Sequence, residues 1–127
     1  MSELRFTVDH EWLRVESDGQ ITVGVTHFAQ DALGDVVFVQ LPELGRYSQG
    51  DEVAVLESVK AASSIAMPVD GEITAINPDL EDNPERVNEA PLGEGWFFRM
   101  QLADTSVLAS LMDEAAYNRF LTATADA

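Results

Sequence analysis

The sequence predicts a mainly β protein: a β-sandwich or flattened barrel of short strands, with small helices, the last in a C-terminal helical tail. Three observations carry that expectation. Apolar residues alternate with period two in several short runs, as in Ile21-Thr22-Val23-Gly24-Val25. Turn pairs such as Asp18-Gly19, Gly50-Asp51 and Asp70-Gly71 separate the runs at close intervals. Only from Asp104 onward do apolar residues fall at helical spacing (Val107, Leu108, Leu111, Met112, then Tyr117, Phe120, Leu121). No linker, low-complexity tract or solenoid repeat interrupts the chain. Residues 1–127 therefore read as one domain, with a core over about 5–103 and a helical segment over about 104–122.

Taken in order, about eight strands are expected. Phe6 to Val8 opens the chain and leads into Glu11-Trp12-Leu13-Arg14-Val15. Asp18-Gly19 is a hairpin signal, and Ile21 to Val25 returns from it. Thr26 can cap a short helix from His27 to Leu33, with Gly34 suited to its left-handed exit. The run Asp35 to Leu41 is apolar nearly throughout and is stopped by Pro42, which predicts a central strand. Residues 42–50 read as a loop. Glu72 to Ile76 is a further strand, ended by Asn77-Pro78. Residues 77–95, with Pro78, Pro84, Pro91, Gly93 and Gly95, predict an excursion holding at most a helical turn. Trp96 to Leu102 returns as a strand. Asp104 or Thr105 can cap a first tail helix and Asp113 a second. Trp12 and Trp96 read as packing residues rather than cofactor platforms.

Residues 50–71 are the organising stretch. Val53 to Leu56 and Ile65 to Val69 read as the two arms of a hairpin, with Val53 and Val55 sharing a face and Ile65, Met67 and Val69 another. Lys60, the only lysine in the chain, falls near the tip. A lone lysine on a turn is ordinarily a solvated charge. As a Schiff-base nucleophile, with Glu57 shuttling protons, it would need desolvation or a neighbouring cation. Its sequence neighbours are instead acids (Glu57, Asp51, Glu52, Asp70, Glu72), which favour the ammonium form. A third reading is a lysine displayed for modification by another enzyme; composition and spacing alone leave the solvated charge as the commoner one.

Composition narrows the classes. The chain has 127 residues, 46% of them hydrophobic, as a globular protein requires. Cysteine is absent, and His10 and His27 alone make no typical zinc site; no metal is expected. A net charge of −16, from 23 acids against seven basic residues, repels nucleic acid and anionic membranes; it would steer positively charged partner enzymes, and reads equally as acidity that only keeps the chain in solution. The N-terminus lacks a signal core and is not of the arginine-rich transit type, which predicts a cytoplasmic protein if bacterial, or a processed mitochondrial matrix form if eukaryotic.

Glu57-Ser58-Val59-Lys60-Ala61 resembles the lipoylation motif of the glycine cleavage system H proteins. The resemblance continues in order through His10-Glu11-Trp12, Gly24-Val25-Thr26, Ala29-Gln30, Leu33 to Val39 and Leu41-Pro42. It extends through Pro68, Gly71-Glu72, Val87-Asn88-Glu89, Gly93-Glu94-Gly95-Trp96 and Leu111-Met112 to Tyr117, so it covers about residues 5–121. Lipoyl domains of 2-oxo acid dehydrogenases usually carry Asp-Lys-Ala at this turn and biotin carriers Met-Lys-Met. Neither has the flanking blocks.

The resemblance implies a barrel-sandwich hybrid, lipoyl-domain-like, with lipoate in amide linkage to Lys60. Glu57, Ser58, Val59 and Ala61 would present that lysine to lipoate-attaching enzymes. It further implies a non-catalytic carrier serving three enzymes. Glycine decarboxylase (the P protein, dependent on pyridoxal phosphate) loads an aminomethyl group. The tetrahydrofolate-dependent aminomethyltransferase (the T protein) removes it, and dihydrolipoamide dehydrogenase (the L protein) reoxidises the dithiol. The alternative is a lipoyl relay that donates lipoate to 2-oxo acid dehydrogenase complexes. Positions matching the family's arm-sheltering cleft are Asp9, Glu11, Val25, Ala32 and Ser64. Glu11 suits an amine partner, and reads equally as a strand-end charge beside Trp12. Ala32 stands where some members have histidine, Ser64 where many have aspartate, and Leu92 where tyrosine is frequent. The first two remove polar partners.

Overall fold

The structure is a computed structural model that describes residues 4–16, 18–102 and 105–125. Nine strands lie among them: β1 (Leu4–Phe6), β2 (Glu11–Val15), β3 (Ile21–Val25), β4 (Val36–Gln40), β5 (Gly45–Tyr47), β6 (Glu52–Ser58), β7 (Ala62–Ala66), β8 (Gly71–Ile76) and β9 (Phe98–Gln101). The helices are α1 (His27–Leu33), α2 (Asp79–Asp82), α3 (Arg86–Glu89) and α4 (Glu114–Ala125), with a 3-10 helix over Thr105–Ser110. Six strands form one sheet in the order β1-β2-β3-β9-β8-β5, and three form a second in the order β4-β6-β7. Every strand pairing is antiparallel.

The core lies between the sheets. Leu13, Ile21, Val23, Ile73, Phe98 and Met100 of the larger sheet pack in one buried cluster with Val39, Ala54, Leu56 and Ile65 of the smaller. The larger sheet is also covered on its other face. There Phe6, Trp12 and Tyr117 form a second cluster under α4, with the Phe6 and Tyr117 rings stacked at 4.5 Å. Trp12 sits opposite Gly24 in the β2–β3 register, and a Cβ at that glycine would fall 2.7 Å from the indole. The indole N–H donates to the Pro91 carbonyl at 2.9 Å.

Local signals account for much of this. Thr26 accepts from the Ala29 amide at 3.2 Å and opens α1, while Gly34 closes it at φ 77°. Asp113 caps α4 by accepting from the Ala116 amide at 2.8 Å; Asp104, the other proposed cap, lies outside the described residues. Trp12 is fully buried as expected. Trp96 is half-buried with the Arg99 guanidinium 4.7 Å from its ring centre.

Several expectations are corrected. The run 35–41 forms no central strand: β4 is an edge of the three-stranded sheet, with Val37 and Phe38 exposed. An apolar run signals burial on both faces, but a register shift between Val36 and Phe38 turns two of these residues outward. Residues 42–50 are not all loop, because β5 pairs with β8 and obtains its backbone partners there. The first strand ends at Phe6 and does not reach Val8, and the first tail helix is 3-10. The 77–95 excursion holds two helical turns, not one. In β6 the fully buried residues are Ala54 and Leu56, while Val53 and Val55 are half-buried, Val53 at a register shift and packed against the core.

Candidate functional site

The lysine hairpin is formed by β6 and β7, paired from Glu52↔Ala66 to Glu57↔Ala62. Its tip is a turn over Ser58 to Ala61, closed by the Ser58 amide donating to the Ala61 carbonyl at 2.8 Å. The Ser58 hydroxyl completes it. Its oxygen accepts from the amides of Lys60 and Ala61, each at 3.1 Å, and its O–H donates to the Ala61 carbonyl at 3.1 Å. Ser58, expected as a recognition residue, is thus also the side chain that shapes the turn. Val59, Lys60 and Ala61 stand exposed beyond it.

Of the five acids near Lys60 in sequence, only Glu57 lies beside the tip. Asp51 and Asp70 bond the Ser48 and Gln49 amides at the hairpin's base, at 2.8 and 2.7 Å. The length of β6 separates them from the tip by roughly 20 Å at a strand's rise per residue.

The lysine's stem lies on the exit of α1. A Cβ at Gly34 would meet Lys60 Cε at 3.3 Å and Cδ at 3.6 Å, so the absent side chain is the space the stem occupies. Asn88 holds this junction. Its amide group donates to the Gly34 carbonyl at 2.8 Å and to Gln30 Oε1 at 3.0 Å, and its oxygen accepts from the Val36 amide at 2.8 Å. One side chain from α3 therefore fixes the end of α1 and the start of β4 together. Sequence reading missed that role; the Val87-Asn88-Glu89 block was the only signal of it.

Beside α1 opens a cleft of about 360 Å³ between that helix, the β2–β3 ends and the free edge of β7. Asp9, Glu11, Val25 and Ser64 line it, together with Ala29, Leu33, Leu56 and Ile65. Ala32 does not: it is exposed on α1, and the helix turns Ala29 and Leu33 toward the cleft. Lys60 is not a lining residue. It stands at the end of the helix that forms one wall.

Glu11 is the unusual group. It is 3% exposed, Oε1 accepts from the Thr7 hydroxyl at 3.2 Å, and Oε2 has no hydrogen-bond partner. Burial pushes its pKa from 4.5 up to about 8, with the Thr7 bond opposing and the Asp9 charge adding. The turn before β2 places it. His10 adopts φ 65°, and the Thr7 oxygen accepts from the amides of Asp9 and Glu11, each at 3.2 Å. Thr7 is a second residue that sequence reading missed, since nothing local marks its hydroxyl as the hub of the turn. A further cavity of about 230 Å³ adjoins the cleft, sharing Asp9, Glu11, Gly50 and Ala66 as walls.

The chain that carries this displayed lysine and cleft has known relatives. The family described as glycine cleavage H-protein matches residues 4–124. The chain belongs to that family. It is 66% identical to glycine cleavage system H protein 1 of Pseudomonas aeruginosa over 127 residues, covering all of both chains. The Pseudomonas putida protein of the same description is 61% identical over the same length. Among solved structures, a glycine cleavage system H protein from Mycobacterium marinum superposes with a TM-score of 0.81 at 35% identity, covering 91% of this chain and 93% of that one. The two facing sheets are accordingly the barrel-sandwich hybrid that the resemblance implied. Membership makes the chain a carrier component of the glycine cleavage system, and lipoyl carriage is the role the family implies.

Proposed function

We propose that Lys60 bears lipoate in amide linkage and that the chain shuttles it among the glycine decarboxylase, the aminomethyltransferase and the dihydrolipoamide dehydrogenase of glycine cleavage. The observation that carries the reading is Lys60 itself: the chain's one lysine, exposed at a turn, with its stem resting on Gly34 at the exit of α1. Lipoate, when attached, would supply a strained ring disulfide whose S–S bond breaks as one sulfur takes the aminomethyl group, the other sulfur keeping the electron pair as a thiol.

The chain's own residues present and shelter. Ser58 holds the turn so that the lysine points outward, and Gly34 leaves room for the stem. Amide formation removes the ammonium charge, so the lengthened side chain can lie against Leu33 and Leu56 at little desolvation cost. Glu11 supplies the polar end of the cleft. With a pKa of about 8 its carboxyl is mostly protonated at neutral pH, which is the cheaper form to bury. A cationic amine entering the cleft would favour the ionised form, and Oε2 is the acceptor left over to receive it. Ser64 adds a hydroxyl where many relatives place aspartate, and Asp9 and Glu52 are the other carboxylates lining the cleft.

Intact mass of the protein from its native host should show one lipoyl group, absent in Lys60→Arg, which keeps a charge but offers no acylable amine. Reconstitution with the glycine-decarboxylating enzyme then tests the assignment. Lipoylated protein that supports no glycine turnover would sink the glycine cleavage role and favour the relay.

A further inference from the structure

The three-stranded sheet has an outer face that the core does not use. The β4–β6–β7 register sets Phe38, Glu57 and Ala62 side by side on that face, next to the tip. Phe38 is 45% exposed, Val37 on the bulge 56% and Val59 on the turn 67%. Ala61 and Ala62 are exposed as well. Apolar side chains therefore extend from the edge strand to the lysine turn, with Glu57 set between Phe38 and Ala62, and β4 carries no charge of the kind that ordinarily blunts an edge. Part of its backbone is already engaged: the Val36 amide donates to Asn88 and, just past the strand, the Leu41 amide donates to Glu81 at 3.4 Å. What the strand offers is its side chains. Leaving a valine and a phenylalanine half in water forgoes burial energy of about 25 cal/mol per Å², which is the usual mark of an interaction site. The charges here are Glu57 within the strip and the exposed Asp35 at its border, besides Lys60 itself.

We propose that this strip of Val37, Phe38, Val59 and Ala62 is the docking surface for the enzyme that acylates Lys60, which meets it with an apolar patch rimmed by basic side chains. The inference rests on the carrier reading above. Reach selects the occupant. An enzyme that forms the amide must close on the body within one lysine's length of the tip. Enzymes acting at the far end of the finished arm work beyond that distance. Charge selects the partner's basic side chains, because a surface holding Glu57 and Asp35 on a chain of net charge −16 attracts a basic partner and repels an acidic one. In the step itself, deprotonated Nζ attacks the carbonyl carbon of an activated acyl donor (a mixed anhydride or thioester) held by that enzyme. The C–N bond forms, the acyl–oxygen or acyl–sulfur bond breaks, the leaving group keeps the electron pair, and the nitrogen's proton passes to a base. No electron is transferred between redox states.

The test uses the full, unacylated chain with a lipoate–protein ligase, lipoate and ATP. Phe38→Ser and Val37→Ser should each lower kcat/KM for acylation about tenfold, mainly through KM, as loss of an apolar anchor does. Leu44→Ser, which removes an equally exposed leucine away from the tip, should stay within about twofold. Added salt should slow the wild-type reaction. Once driven to full lipoylation, the same variants should be turned over normally by dihydrolipoamide dehydrogenase, a readout that misfolding would spoil. Wild type acylated and both variants acylated at its rate would overturn this inference alone. A wild type that the ligase cannot acylate would overturn the carrier reading with it.

Discussion

The two sheets treat their phenylalanines in opposite ways. Phe98 in the six-stranded sheet is fully buried, beside a β3 strand with no exposed residue. Phe38 in the three-stranded sheet is 45% exposed on a strand with one neighbour. The larger sheet is packed on both faces, against the core and under α4, and its register is strongly specified. The smaller sheet is packed on one face only and gives its other face, its tip and one edge to the surroundings. The difference separates a framework from the part it presents.

The contrast can be broken most severely through the framework. Phe98→Ala should cost about 3–5 kcal/mol in chemical denaturation, as large-to-small changes in tight cores do. Phe38→Ala should cost about 1 kcal/mol or less, since much of the ring is already wet. Equal costs would mean that the two sheets are packed alike.

Next in size is the pH dependence that Glu11 imposes. Its pKa rises from 4.5 to about 8 on folding, so between those values the folded chain holds more proton than the unfolded one. The stabilisation linked to that proton is complete below pH 4.5 and is lost as pH climbs toward 8, an effect of a few kcal/mol at most. Glu11→Gln keeps the shape without the titration and should flatten stability over that window. A slope unchanged in the variant would place the titration elsewhere.

A smaller effect sharpens the picture at the tip. Ser58→Ala removes one hydroxyl making three hydrogen bonds, two of them received from turn amides. The loss should be about 1 kcal/mol and local. Hydrogen exchange at the Lys60 and Ala61 amides should accelerate while the β3 amides keep their protection. Global acceleration would show that the tip is not separable from the framework.

Expectation and outcome agree wherever the signal is local. Helix α1 runs from His27 to Leu33 as its cap and exit glycine predict, because both act within one turn of chain. The hairpin and its lysine are likewise where alternation and turn residues put them. Strand β4 was misplaced because hydrophobicity registers how much a segment can bury and not which neighbours it meets. Strand β5 escaped notice because Gly45-Arg46-Tyr47 has no pattern of its own and is made a strand by β8. At the site, Asp9, Glu11, Val25 and Ser64 line one cleft, while Ala32 falls on the outward side of α1.

By itself the sequence determined the lysine's place on a turn, the caps of α1 and α4, and the alternation that makes two layers. These depend on dihedral preference and hydrogen bonds between near neighbours. Only the tertiary structure decided that β4 would be an edge, that Asn88 would join α1 to it, and that Glu11 would be closed off from water with one oxygen unpartnered. Solvent access belongs to assembled surfaces. It depends on which distant segments cover a group, and no short stretch of chain records that.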